Sequence, residues 1–160
     1  MDQDKKQEID ALFSAKKQQE EKVQNVREER EAKEAKFLNA FLELRANVIR
    51  PAMQSIVNYL DNKGFKSVIQ ETEEDRSGQQ QTAAAITIKF GSSTASYSSH
   101  QHPHFTARAD RSAQKIQFHE CTISPNHGGH AGSAGSNNVE EVTETLIQDK
   151  IMKVLREIIK

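Results

Sequence analysis

The chain has little of what marks a secreted, membrane-embedded or nucleic-acid-binding protein. Its 160 residues include one cysteine and no tryptophan, and aromatic residues make up only 6%. A single thiol, Cys121, cannot close an internal disulfide, which fits a reducing, cytoplasmic setting. No stretch approaches the ~18 consecutive apolar residues of a membrane-spanning helix. The opening MDQDKKQEID has no apolar run of the kind a secretory signal needs, so none is expected. A formal net charge of -1 supplies no overall basic field, which argues against nucleic acid as a partner. Apolar residues are also scarce: 35%, against a globular norm of about 45–50%. Part of the chain should therefore have no core of its own.

That part is the beginning. From Lys5 to Lys36 there is no Gly and no Pro, and Glu, Lys, Gln, Arg and Ala, all good helix formers, dominate. Opposite charges fall four apart at Lys16/Glu20, Lys17/Glu21, Arg27/Glu31, Arg30/Glu34 and Glu29/Lys33. Each such pair adds about 0.2–0.5 kcal/mol to a solvated helix. A heptad laid over the segment gives two seam series. One runs Ile9, Lys16, Val23, Arg30, Phe37, Leu44; the other runs Leu12, Gln19, Val26, Lys33, Ala40, Asn47. The apolar steps at Ile9 with Leu12 and at Val23 with Val26 are separated by polar ones, so the seam is broken. It supports a solvated helical spacer, a helix that orders only on a partner, or a short coiled coil of either orientation.

From Phe37 the character changes. Phe37, Phe41, Leu44, Val48, Ile49, Met53, Ile56, Val57 and Leu60 recur at helical spacing and make a stripe broad enough to lie on a core. Pro51 inside this run either kinks one helix or sits in the first turn of a second. Gly64 suits the left-handed position after the last turn. The period then shifts toward two. Strands are expected over 65–71, 83–90, 105–110 and 115–123, with a polar turn at 73–81. A Ser-rich loop is expected over Gly91–His102, with a short extended piece around Tyr97. Ser124–Asn138 (SPNHGGHAGSAGSNN) reads as a flexible Gly/Ser/Asn loop. It precedes a helix, but Glu140, Glu141 and Glu144 place negative charge where an anion would bind. The last helix starts at Thr143, a suitable N-cap, and its expected buried stripe is Leu146, Ile147, Ile151, Val154, Leu155, Ile158 and Ile159.

The expected fold is therefore α+β, in the order α-β-β-β-β-α. A long N-terminal helix, a candidate coiled coil, precedes a four-stranded antiparallel sheet with the C-terminal helix packed on one face. The expected division is a helical extension at 1–36 and a globular unit at 37–160. The element order is similar to that of RWD-type interaction modules, in order alone, since their Pro/Tyr signature is absent.

One local feature points to chemistry. All six histidines fall between residues 100 and 130, and Cys121 lies among them. The 105–110/115–123 hairpin registers itself if Phe105, Ala107 and Ala109 face the core with Ile116 and Phe118. Ala107 then opposes Phe118, Thr106 opposes His119, and His104 opposes Cys121. Directly opposed side chains have Cβ atoms about 4.5–5.5 Å apart. His104, His119 and Cys121 can thus be expected to converge on one ion at an exposed sheet face, with His102, His127 or His130 as a fourth ligand. Zinc is the natural occupant of such a His/Cys set. The spacing matches no established pattern: there is no HExxH and no CxxC. The alternative is a set of polar residues on a wetted sheet. No GxSxG elbow marks a nucleophile.

The function expected first is non-enzymatic: protein–protein interaction or oligomerisation through the N-terminal helix and the α+β domain, with Ile9, Leu12, Val23 and Val26 as contacts on the helix. A metal-binding domain, or a metal-dependent hydrolase, is the alternative.

Overall fold

The computed structural model describes residues 1–91, 102–124 and 128–159. The chain divides into two compact units, Met1–Lys36 and Phe37–Lys160.

The first unit is a single helical stretch, part of α1 (Gln3–Leu44). Asp2 opens it: its Oδ1 accepts the Lys5 backbone N–H at 3.0 Å, satisfying one of the unpaired donors of the first turn. Along the helix, Arg27 Nε donates to Glu31 at 3.1 Å and Gln24 Nε2 to Glu28 at 3.0 Å. Lys16 stands 3.9 Å from Glu20. Every residue from Met1 to Lys33 is exposed. Backbone propensity and these four-apart pairs hold this helix, since no buried face does.

In the second unit the chain meets Pro51, which has no N–H to give to the previous turn and whose ring crowds the carbonyl four residues back. The helix widens just before it. Arg45–Ile49 forms a π-helical turn, closed by the Arg50 N–H donating to the Arg45 carbonyl. Pro51 then occupies the first turn of α2 (Arg50–Asn62), where its missing donor costs nothing. Gly64 ends α2 at φ 76°, and the Phe65 N–H returns to the Leu60 carbonyl at 3.0 Å.

Five strands follow: β1 (Ser67–Thr72), β2 (Ala85–Phe90), β3 (His104–Asp110), β4 (Lys115–Cys121) and β5 (Ala131–Asn137). They form one antiparallel meander in the order β1-β2-β3-β4-β5. The strand count corrects the four expected from sequence. β5 lies in the Gly/Ser segment read as a loop. Ala-Gly-Ser-Ala-Gly-Ser-Asn carries no apolar alternation, so it offers no strand signal, yet its backbone pairs with β4 along its length. The pairing slips between Gln117 and His119, where Gly135 takes φ 99°. A left-handed residue beside a register slip is what a β-bulge needs, and glycine meets it without strain. The fifth strand also takes the element order away from that of the RWD-type modules. The loop expected over Gly91–His102, with its extended piece around Tyr97, lies outside the described residues except at its two ends.

A 3-10 turn, Val139–Glu141, leads to α3 (Glu144–Ile158). Thr143 caps α3 by accepting the Leu146 N–H at 3.1 Å, as its sequence position implies. One side of the sheet supplies Ile86, Ile88, Phe90, Phe105, Ala107, Ile116 and Phe118 to the core. Met53 and Val57 of α2 and Ile147, Ile151 and Val154 of α3 meet them. Both helices therefore lie on the same face of an α+β layer. Two long side chains tie the layers at their edges. Arg45 donates to the Thr72 and Ala85 carbonyls at 3.1 and 3.3 Å. Lys150 of α3 donates to the Ala134 carbonyl at 2.7 Å and lies 4.9 Å over the Phe118 ring.

Candidate functional site

Because core residues take one side-chain parity on each strand, the other parity forms a second, polar face. Its centre is laced together. Thr87 and Thr106 hydroxyls are 2.8 Å apart across β2 and β3. Arg108 Nη2 donates to Gln117 Oε1 at 2.9 Å, and Gln117 Nε2 donates to Asp110 Oδ2 at 2.7 Å. A shallow depression of ≈ 370 Å³ opens here, lined by Thr106, Arg108, Gln117, Phe118, His119 and Ser133. The guanidinium and the amide at its wall bond to each other, so the face stabilises its own strands before it offers anything to a ligand.

The hairpin register derived from sequence is the one present: His104 opposes Cys121, Thr106 opposes His119 and Ala107 opposes Phe118. Of the His/Cys group, His119 is exposed as expected, whereas His104 and Cys121 are buried. His104 is 9% exposed and Cys121 only 2%. The physical reason is position. Cys121 is flanked on both sides, by His104 on β3 and Ala131 on β5, and the His119 ring stacks on that of His104. Those two rings are 5.6 Å apart and 17° from parallel. They present faces to one another, whereas metal ligation needs ring nitrogens aimed at a common point. His104 Nδ1 stands 3.1 Å from the His102 carbonyl oxygen. Burial, then the nearby Lys89 ammonium, lowers the His102 pKa from its ordinary value of 6.5. Among the described residues no group of three His, Cys, Asp or Glu side chains is placed to hold a metal ion. His100 and His127 lie outside the described residues.

His130 instead joins a constellation that sequence reasoning missed. Its Nδ1 is 3.2 Å from Thr122 Oγ1, and its Nε2 is 3.2 Å from Glu120 Oε1. The Nε2–H tautomer satisfies both contacts, donating to the carboxylate and accepting from the hydroxyl. Hydroxyl, imidazole and carboxylate in that order make a general-base relay where the hydroxyl can meet a substrate. Here it cannot. Thr122 is 6% exposed, and its Oγ1 already accepts the His130 backbone N–H at 3.0 Å. Gly129 runs so close that a Cβ on it would sit 2.7 Å from the Thr122 carbonyl group. The arrangement locks the entry of β5 onto the end of β4. The only sequence signal for it was the Thr122-to-His130 spacing across a loop that carried no strand pattern.

The predicted contact residues on the N-terminal helix are in the open. Ile9 is 40% exposed, Leu12 64%, Val23 59% and Val26 66%, on a unit dominated by polar residues. A fifth exposed apolar residue, Phe13, is 67% exposed and lies off the heptad seam, which is why a strict seam reading passed it over. Comparison of the chain with protein families, with characterised proteins and with solved structures returns no match.

Proposed function

We propose that this chain is a non-enzymatic interaction protein that self-associates through its N-terminal helix, with the α+β unit as the body it brings together. The observation that supports this reading is the exposure of Ile9, Leu12, Val23 and Val26 on a helix whose residues are all exposed as far as Lys33. Isolated apolar residues on a surface need no explanation. These four differ in being paired three apart at Ile9/Leu12 and Val23/Val26, with the second pair two heptads after the first. Burying a full aliphatic side chain contributes about 1.5–3 kcal/mol, so at half exposure each of these adds about 1 kcal/mol on association. Four per helix, contributed by both partners, gives about 8 kcal/mol before the cost of association. Against an association cost of at least about 4 kcal/mol, the remainder is about 4 kcal/mol, a dissociation constant of about 1 mM, so a partner helix covering this seam supports weak self-association that concentrated samples populate.

The test is light scattering after size exclusion, on the full chain and on residues 37–160. The expected result is a dimer or larger for the full chain and a monomer for the shorter one. A full chain that is strictly monomeric across the concentration range, with residues 1–36 cleaved by protease throughout it, refutes the oligomerisation reading. The metal-site alternative has no grouping of ligands behind it among the described residues.

A further inference from the structure

The outer side of the helix layer carries an apolar groove between α2 and α3, with a volume of ≈ 720 Å³. The buried Leu60 and Leu155 form its floor, while Tyr59 and Met152 stand 64% and 39% exposed at its rim. The lining is graded along its length. On α2 it runs Ser55, Tyr59, Lys63 and on α3 Gln148, Met152, Arg156, each residue four positions after the last and so on the same helix face. The two series run in step. α2 delivers the chain to the start of β1 and α3 leaves the end of β5, and β1 and β5, first and fifth in an antiparallel meander, point the same way. Both helices therefore cross the sheet in one direction, which brings Lys63 and Arg156 to one end of the groove and Ser55 and Gln148 to the other. The Lys63 ammonium stays at the groove, 5.4 Å from the centroid of the Tyr59 ring. No carboxylate lines the groove among the described residues.

We propose that this groove binds a single-chain anionic amphiphile, a medium-chain carboxylate of the fatty-acid class. Its head lies between Lys63 and Arg156, and its chain runs along Tyr59 and Met152 toward Ser55 and Gln148. This inference is independent of self-association through the N-terminal helix. Charge selects the head. Lys63 and Arg156 supply two full positive charges, which outweigh the charge of about −0.5 that each helix C-terminus contributes. A neutral or cationic head gains nothing from this end. The lining selects the tail, since aromatic, thioether and aliphatic side chains with a few polar groups at the ends suit a small apolar ligand. Length sets the chain. From Ser55 to Lys63 the helix advances about 12 Å, the reach of an extended chain of about ten carbons. A longer chain passes Ser55 and Gln148 into water.

The experiment titrates the full-length protein calorimetrically at neutral pH with sodium octanoate, decanoate, dodecanoate and tetradecanoate, each below its micelle concentration. Decanol and decyltrimethylammonium are the head-group controls. Saturable binding of one carboxylate per chain is expected. Affinity should tighten about two- to fourfold per methylene, the range from partial to full burial, and level off at about ten carbons. Both controls should bind about tenfold more weakly than decanoate, or worse, for want of charge-assisted bonds to the head. Lys63→Gln/Arg156→Gln should bring decanoate down to the level of decanol. Tyr59→Glu, at an exposed position, should abolish binding while circular dichroism shows the fold retained. Absence of saturable decanoate binding overturns the proposal. So does binding that Tyr59→Glu leaves unchanged, because it lies elsewhere, and so does equal affinity for the three head groups, because the cations then have no role. Affinity that climbs with every methylene and never levels marks an open surface fit for a macromolecule and overturns it too. Light scattering on the same samples covers the remaining occupant. A parent chain that associates and a Tyr59→Glu variant that does not would put a second copy in the groove instead of the ligand.

Discussion

Replacing Arg45 with Met should loosen the second unit more than any surface change of the same size. Arg45 sits in the π-helical turn with its side chain 9% exposed, beside two carboxylates. Its Nη1 bridges the carbonyls of Thr72 and Ala85, the last pair of the β1–β2 ladder, and its Nη2 meets Glu73 at 2.7 Å. Methionine keeps most of the aliphatic packing and removes the fork. Hydrogen bonds from a charged donor contribute about 1.5–3 kcal/mol each when well aligned. The bond to Ala85 is long at 3.3 Å, so the two carbonyl bonds together are worth about 2–3 kcal/mol. The Glu73 pair adds less than about 1 kcal/mol, since that carboxylate is 69% exposed. The expected loss is about 3 kcal/mol. For a unit of this size it lowers the melting temperature by roughly 10 °C. Urea unfolding followed by circular dichroism measures it, and Arg45→Lys should fall between parent and Met. A loss below about 0.5 kcal/mol for Arg45→Met would mean that the guanidinium fork holds nothing together, because ordinary surface substitutions fall in that range.

Three further outcomes are expected. Gln114 closes the β3–β4 turn at φ 54°, so Gln114→Gly should raise stability by about 0.5–1 kcal/mol in the same urea assay. Lys150→Met removes the donor to Ala134 and the cation over Phe118. It should cost about 1–2 kcal/mol and speed amide exchange in β5 ahead of β2 and β3. The Asp110 pKa lies below its ordinary 3.8, chiefly because the carboxylate accepts the Ala113 N–H and, with it, the Ser112 hydroxyl, against an opposing effect of burial. A depressed carboxylate contributes stability that is present above its unfolded value and lost as pH falls through its folded value. Urea midpoints from about pH 5 down to about pH 2 should therefore slope less in Asp110→Asn than in the parent.

What could be read from sequence followed from periodicity. The β3–β4 register was legible because Phe105, Ala107 and Ala109 alternate strictly with polar residues, and a slip of one residue would expose all of them. Thr143 and Gly64 were legible because each has one favoured place at a helix end. β5 was not, because a strand of Ala, Gly and Ser is specified by its neighbour's backbone, by the Lys150 contact and by the Thr122–His130 lock, none of them local. The burial of His104 and Cys121 was hidden for a related reason. Register gives the pairing of residues, but ring orientation and cover depend on both flanking strands. Phe13 was overlooked because a seam reading counts only two positions in seven.

Self-association through the N-terminal helix is best decided by sedimentation velocity across a concentration series, on the full chain and on a Val23→Glu/Val26→Glu double variant. The full chain should move from 18.0 kDa toward at least twice that mass as concentration rises, while the double variant associates more weakly at every concentration. A seam worth about 4 kcal/mol after the cost of association must populate a dimer by about 1 mM, so a full chain that stays at the monomer mass up to that concentration would rule the seam out as an assembly device.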